Sequence, residues 1–446
     1  MRNVTITIPV EAKVRELDEK VLLAAKLAAD RNVVVLGPDT SVDPYAEERG
    51  TDVHFVNGAA SSPQRTRILS TLARRGTKVL LLDTEGANAV ATPTFHARFD
   101  AELVPHIDRY LAWGHGPAEL AIRTVGFPRD KVVVTGLPRF DTLRPPFDAI
   151  HEAARRSIRE RHGRYVLLNT NLTRANPFAT GVVRDLAPDL EMMENQRALM
   201  KAYAEAIPAI VRAVPNVNII VRPHPGENVE TYEKMFAGES RIRVVHEGSV
   251  QPWIKEAVAV IHNNCLTGVE AVVAGIPVVA LSPTGWTQAD FTIANAVSNA
   301  ARNTEELVAF IEACAAGRPP PSAIAAPKTK DALRNIVDNV DQFAIDVVAR
   351  VVSESAGIAR TAHVDVATRA RRSALAVLGT RGTRALRKIT HARNIAALNY
   401  SLHKMSGITR GEVEVRLASL TEALRLPKLT VRPIRGFEHT FRIARA

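Results

Sequence analysis

Cysteine is nearly missing from this chain: Cys265 and Cys314 are the only two in 446 residues. Two thiols build neither a disulfide framework nor a cysteine zinc site, so a reducing cytoplasm fits the composition. Long apolar runs are missing too. The longest, Ala271 to Leu281, spans 11 residues, far short of the roughly 20 that a bilayer-crossing helix needs. The opening Met1-Arg2-Asn3-Val4-Thr5-Ile6-Thr7-Ile8 alternates as a strand does and carries no apolar block of the secretion-signal kind. The expectation is a cytoplasmic protein, neither secreted nor membrane-spanning.

Charge is present but unevenly placed. Residues 355–446 hold 18 Lys and Arg against 5 Asp and Glu, a net of +13, which leaves 40 against 42 in residues 1–354. The basic character belongs to the tail; the body is near neutral. A basic extension on a neutral body points to an anionic partner. Leu386, Ile389, Ile395, Leu398, Leu402 and Met405 recur at helical spacing, with Arg384, Arg387, Lys388, Arg393 and Lys404 between them. Such an amphipathic basic helix either lies on an anionic bilayer face or packs on the body with its charges outward. Nucleic acid is disfavoured, because the tail has few aromatics and no recognition module.

The body reads as α/β. Apolar strands at Val4–Val10, Asn32–Leu36, Lys78–Leu82, Tyr110–Trp113 and Lys131–Thr135 alternate with helices such as Val14–Ala29 and Ile68–Arg75. After Leu143-Arg144-Pro145-Pro146-Phe147 the rhythm restarts at Tyr165–Leu168, Val217–Val221, Arg241–Val245, Ala257–Ile261 and Ile276–Leu281. Short apolar strands between helices argue for parallel sheets covered on both faces. A helix over Asp331–Val352 would close the second series. The expected architecture is therefore two doubly wound, Rossmann-like domains facing across a cleft, residues 1–145 and 146–354, plus a partly helical basic extension, 355–446.

Ligands of open α/β sheets bind outside the carboxyl ends of the strands, so residues just past each apolar run are the candidates. Val221 is followed by Arg222-Pro223-His224-Pro225-Gly226-Glu227. Arg222 suits a bidentate phosphate contact, His224 a phosphate or sugar hydroxyl, with Glu227 beside them. A purely structural proline turn is the alternative. A metal is not expected, since Glu227 and His246 lack metal-ligand spacing. Ile261 leads into His262-Asn263-Asn264-Cys265-Leu266-Thr267-Gly268 and a helix start, where free N–H groups favour an anion. Thr267-Gly268-Val269-Glu270 also satisfies a capping box, and Glu270 alternatively reaches ribose hydroxyls. Ser249, ahead of Pro252, caps a helix or faces the cleft. In the first half, Asp83-Thr84-Glu85-Gly86 puts two carboxylates at a strand end, suited to a general base. His115, Arg139, Asn169 and Asn171 occupy other strand-end turns.

Taken together, Arg222-Pro223-His224-Pro225, His262 to Ala271 and Gly275-Ile276-Pro277-Val278-Val279 resemble the donor half of bacterial surface-polysaccharide transferases. The likeness is to GT-B-like enzymes that include capsule Kdo transferases and CDP-glycerol glycerophosphotransferases, and most of all to the surface carbohydrate biosynthesis group. Glu11, Arg15-Glu16-Leu17-Asp18, Asp83-Thr84-Glu85-Gly86, Trp113-Gly114 and Gly136-Leu137-Pro138-Arg139-Phe140-Asp141 extend it over residues 1–300. Where glycerophosphate transferases show serines, this chain has Asn263-Asn264-Cys265-Leu266-Thr267.

The resemblance implies a metal-independent glycosyltransferase without a resident cofactor. It would move a sugar from a nucleotide donor, CMP-linked being one option, to a cell-surface polysaccharide or lipid-linked acceptor at the inner membrane face. Arg222, His224, His262, Thr267 and Glu270 would line the nucleotide-sugar site, and Glu85, with Asp83 in reserve, would take the acceptor proton. The alternatives are a sugar-nucleotide epimerase, a CDP-glycerol-type polyol-phosphate transferase, and a non-catalytic polysaccharide- or membrane-binding scaffold.

Overall fold

Strands β1 (Thr5–Val10), β2 (Val33–Pro38), β3 (Val53–Val56), β4 (Lys78–Leu82) and β5 (Arg109–Ala112) are buried along nearly their whole length. That is the condition of parallel strands covered on both faces. With β6 (Val132–Val134) they form the parallel part of one sheet in the computed structural model. The structure describes residues 3–58, 60, 62–84, 99–178, 190–283, 293–339, 342–358 and 407–446. The chain divides into two units, residues 1–150 with 334–446, and residues 151–333.

In the first unit the Leu-, Ala- and Lys-rich α1 (Lys13–Ala29) follows β1, and α2 (Asp39–Arg49) and α3 (Pro63–Arg74) follow β2 and β3. Ala12 supplies no side-chain cap to α1. The Glu16 carboxylate takes over, accepting the N–H groups of Glu11 (2.8 Å) and Ala12 (3.2 Å) and the Asn57 amide (3.2 Å). Burial pushes its pKa up to about 7. The sequence reading contained neither α2 nor β3. In β3, four apolar-to-polar residues centre on His54, which is fully buried with Nδ1 2.8 Å from Thr7 Oγ1.

The second unit carries β7 (Tyr165–Asn169), β8 (Asn218–Arg222), β9 (Ile242–Val244), β10 (Val260–His262), β11 (Val278–Leu281) and β12 (Asn299–Ala301). All pair in parallel, in the order β12-β11-β10-β7-β8-β9. Helices α4 (Leu190–Ala213), α5 (Gln251–Glu256), α6 (Thr267–Val273) and α7 (Thr304–Ala315) accompany them. Leu199, Tyr203, Ile207 and Ile210 of α4 and Leu307 and Ile311 of α7 join the strand side chains in one apolar core.

The end of the chain departs from expectation. A single helix over Asp331–Val352 is instead two, Pro327–Ile336 and α8 (Ala344–Ile358), and residues from 334 onward belong to the first unit. Asn339 explains the return: its Oδ1 accepts Leu137 N–H (2.8 Å), and its amide donates to Leu137 O (3.1 Å) and Asp141 (2.7 Å). Asp141 also accepts Ile345 N–H at 2.7 Å. Nor do residues 407–446 trail as an extension. α9 (Arg410–Ala423) packs on α1, with Arg416 Nε 2.6 Å from Asp18. The hairpin β13 (Leu429–Pro433) and β14 (Phe441–Arg445) adds antiparallel to β2, completing the order β13-β14-β2-β1-β3-β4-β5-β6. The basic helix expected over 386–405 and the candidate base Glu85 lie outside the described residues. No helix among the described residues is long and apolar enough to cross a membrane.

Candidate functional site

Strand order in the second sheet reverses at one place. From β7 the chain steps outward to β8 and β9, then returns to the other side of β7 for β10, β11 and β12. The switch point lies between β7 and β10, and in open α/β sheets ligands bind outside the carboxyl ends at such a point. Register aligns the last residues there: His262, Asn169 and Arg222 sit side by side on β10, β7 and β8. Eleven of the residues singled out from the sequence lie at or after strand ends of this sheet, and their neighbours show how they are held.

The Arg222 guanidinium is held by its neighbours. It donates to the carbonyls of Glu247 (2.8 Å) and Gly248 (3.0 Å) and stacks over the Trp253 ring at 5.0 Å. Burial lowers its pKa to about 10. Two of its five N–H donors thus fix the turn into α5. Glu227, 1% exposed, binds two loops together. It accepts from Leu172 N–H (2.8 Å), Thr170 Oγ1 (2.9 Å), the Tyr232 hydroxyl and His224 N–H (3.3 Å). Burial raises its pKa against those bonds. His224 is half-buried, and its Nδ1 accepts the Gly226 N–H at 3.1 Å, so Nε2 carries the ring proton.

His262 is fully buried and acts as a bracket. Ser298 Oγ donates to Ala294 O (2.7 Å), so it accepts from His262 Nε2 (2.8 Å), while Nδ1 takes Cys265 N–H (3.5 Å). Burial pushes its pKa down to about 3, and the ring is neutral. Gly268 lies against it: a Cβ there would come within 2.4 Å of Nε2. Asn263 Oδ1 accepts the Tyr203 hydroxyl (3.1 Å), and Asn171 Nδ2 donates to Asn264 O (3.0 Å), joining the β7 and β10 loops. The capping box over Thr267 and Glu270 is not formed, since α6 starts without a side-chain cap. Glu270 is fully buried and accepts from Gln251 Nε2 (3.0 Å), whose Oε1 pairs with His151 Nε2 (3.1 Å). Ser249 Oγ accepts Gln251 N–H at 3.4 Å, but the N-cap of α5 is Val250 and no side chain caps it, so the expected serine cap is not formed.

Asn169, 3% exposed, keeps its amide nitrogen buried without a hydrogen bond among the described residues. Arg174 is a residue the sequence reading passed over. It follows Thr173, whose methyl would lie 3.1 Å from a Cβ at Gly226, so its loop packs on the His224 turn. It is half-buried, and its guanidinium bonds to no described residue. The signal for it was only an arginine soon after a strand end.

In the first unit, Asp83 follows β4, fully buried, its carbonyl accepting from Trp113 Nε1. His115 is exposed at the start of the helix His115–Leu120. Arg139 is 8% exposed and, after Lys20, the second cation offsetting the burial that raises the pKa of Glu19. No group of three or more His, Cys, Asp or Glu among the described residues is placed to hold a metal ion.

Two Rossmann-like units of this kind define a GT-B-like fold, and solved structures share it. A UDP-GlcNAc 2-epimerase from Neisseria meningitidis, bound to UDP-GlcNAc, aligns over 79% of this chain and 100% of its own, with 11% identity and a TM-score of 0.52. The wall teichoic acid polymerase TagF aligns over 80% of this chain and 89% of its own, with 10% identity and a TM-score of 0.53. No protein-family model matches the chain, and no curated protein matches it in sequence.

Proposed function

We propose that the protein is a sugar-nucleotide enzyme of surface-carbohydrate synthesis, a glycosyltransferase whose second unit holds the donor. The observation that carries this is the switch point of the second sheet, with Asn169, Asn171 and Arg174 at and after the end of β7 and His224 after β8, the Arg174 guanidinium bonding to no described residue. His224 Nε2–H and the Arg174 guanidinium are donors suited to the phosphate that departs with the nucleotide. In the transfer step the acceptor hydroxyl gives its proton to Glu85 while its oxygen bonds to the anomeric carbon. The bond from that carbon to the phosphate oxygen breaks, and the nucleotide leaves with the electron pair. Cytoplasmic work on a glycan or lipid-linked acceptor follows from the same reading.

The test has two parts. Titration with CMP, CDP, UDP and GDP should give saturable binding to one of them, weakened at least about tenfold in Arg174→Ala or His224→Ala, the loss of a charge-assisted hydrogen bond. Glu85→Gln should abolish turnover and leave that binding intact. Absence of any nucleotide binding below millimolar concentration sinks the proposal in favour of a scaffold. The similarity to an epimerase structure holding UDP-GlcNAc favours a second reading, epimerisation. Incubation with a nucleotide sugar and no acceptor separates the two, since only an epimerase interconverts sugars. Polyol-phosphate transfer, which the TagF similarity suggests, would show as turnover of CDP-glycerol.

A further inference from the structure

The terminal hairpin carries charge that the rest of the first unit leaves unanswered. Between residues 424 and 446, Arg425, Lys428, Arg432, Arg435, Arg442 and Arg445 stand against one acid, Glu438. All six basic residues are exposed, and none of their side chains pairs with a described residue. Register sets Arg432 directly opposite Arg442 across the β13–β14 pair. Like charges so placed repel and weaken a hairpin. Arg442 also shares the Tyr45 phenol with Arg49 of α2, both acting on it electrostatically. Val431, Phe441 and Ile443, which alternate with Arg432 and Arg442 and face the other way, are buried, so the face that carries that arginine pair is held in place by a packed underside.

We propose that this hairpin is a docking surface for anionic phospholipid headgroups. A bilayer face offers many phosphates and demands no matching groove, which suits a shallow set of exposed guanidiniums. Single-stranded nucleic acid is gripped by rings on which bases stack. The rings of the hairpin are engaged: Phe441 is buried, Phe437 meets Tyr45 edge-on at 5.2 Å, and His439 Nδ1 bonds to Ile408 O at 3.0 Å, its ring against Gly407. The inference does not use the nucleotide reading, and its failure would leave that reading untouched.

The full chain is sedimented with vesicles of phosphatidylglycerol and phosphatidylcholine, and with phosphatidylcholine alone. Binding is expected only to the anionic vesicles and should fall with added salt. Arg432→Ala together with Arg442→Ala should weaken it roughly 25-fold, about fivefold per charge. The charge-keeping pair Arg432→Lys and Arg442→Lys should retain it. Should the alanine pair not fold, Arg432→Gln with Arg442→Gln gives the same reading. Equal binding to neutral vesicles overturns the proposal, as does unchanged partitioning, which would assign the binding to residues 359–406. Arginine-dependent binding to duplex DNA without vesicle binding overturns it too. So does aggregation of the alanine pair with partitioning unaltered, the mark of arginines that merely guard an edge strand.

Discussion

His262 shows how a side chain's surroundings decide its role. With Ser298 on one nitrogen and the Cys265 N–H on the other, the ring has no capacity left for a nucleotide, although it stands at the switch point. Its depressed pKa has a consequence for stability. The ordinary histidine value is near 6.5, and the folded ring takes a proton only near 3. Between those values the unfolded chain binds more protons, so stability falls as pH drops from about 6.5 toward 3, by up to about 1.4 kcal/mol per pH unit. Glu16, pushed up to about 7, slopes the other way between about 4.5 and 7. The comparison of wild type with His262→Gln therefore isolates the histidine: urea midpoints measured from pH 7 to 4 should show a shallower acid loss in the variant. Equal slopes would mean that His262 is protonated in the fold. Arg222-Pro223-His224-Pro225 was legible as a strand-end cluster. That Arg222 bonds to two carbonyls was not, because those carbonyls come from residues 247 and 248, brought near only by β9 and the turn after it.

One capping pattern occurs twice at element scale with opposite outcomes. Thr409-x-x-Glu412 forms a complete capping box on α9: the Glu412 N–H donates to Thr409 Oγ1 (3.3 Å), and Thr409 N–H to Glu412 (2.8 Å). Thr267-x-x-Glu270 forms none, for Gln251 of α5 has claimed Glu270. In the first pair Glu412 divides its oxygens, Oε2 serving the cap and Oε1 pairing with Lys13 of α1 at 2.7 Å, so the outside partner leaves the box intact; the second is in a packed interior, where a neighbouring element competes. Thr409→Ala should cost about 1 kcal/mol, whereas Thr267→Ala should show no cap loss, both read as shifts in denaturation midpoint. Equal costs would restore the box at α6. Strands with long apolar runs, β1, β4, β7 and β8, were visible as such. β3 was not, with a buried histidine in a run of four. Neither was β12, whose Asn299-Ala300-Ala301 has almost no strand character of its own.

For the whole molecule, the division into units has a testable consequence. The first unit depends on chain from beyond the second: β14 covers the edge of β2, while Val413, Leu417 and Leu420 of α9 are buried on the α1 side. Removing residues 407–446 exposes that edge and that apolar face together, so the truncated protein should lose the cooperative unfolding of the first unit and aggregate. A fragment of residues 151–333, with its own core and all six strands, should still unfold cooperatively. A truncated chain with an unchanged first transition would show that the hairpin and α9 are accessory. The sequence alone determined the alternation of strands and helices, the restart after residue 147, and the strand ends that carry polar clusters. These depend on periodicity and on turn residues a few positions apart. Only the tertiary structure decided that the end of the chain returns to the first sheet, and which polar groups at the switch point are already occupied. Both depend on partners far apart in the chain, such as Leu137 with Asn339, and no local pattern records a contact of that kind.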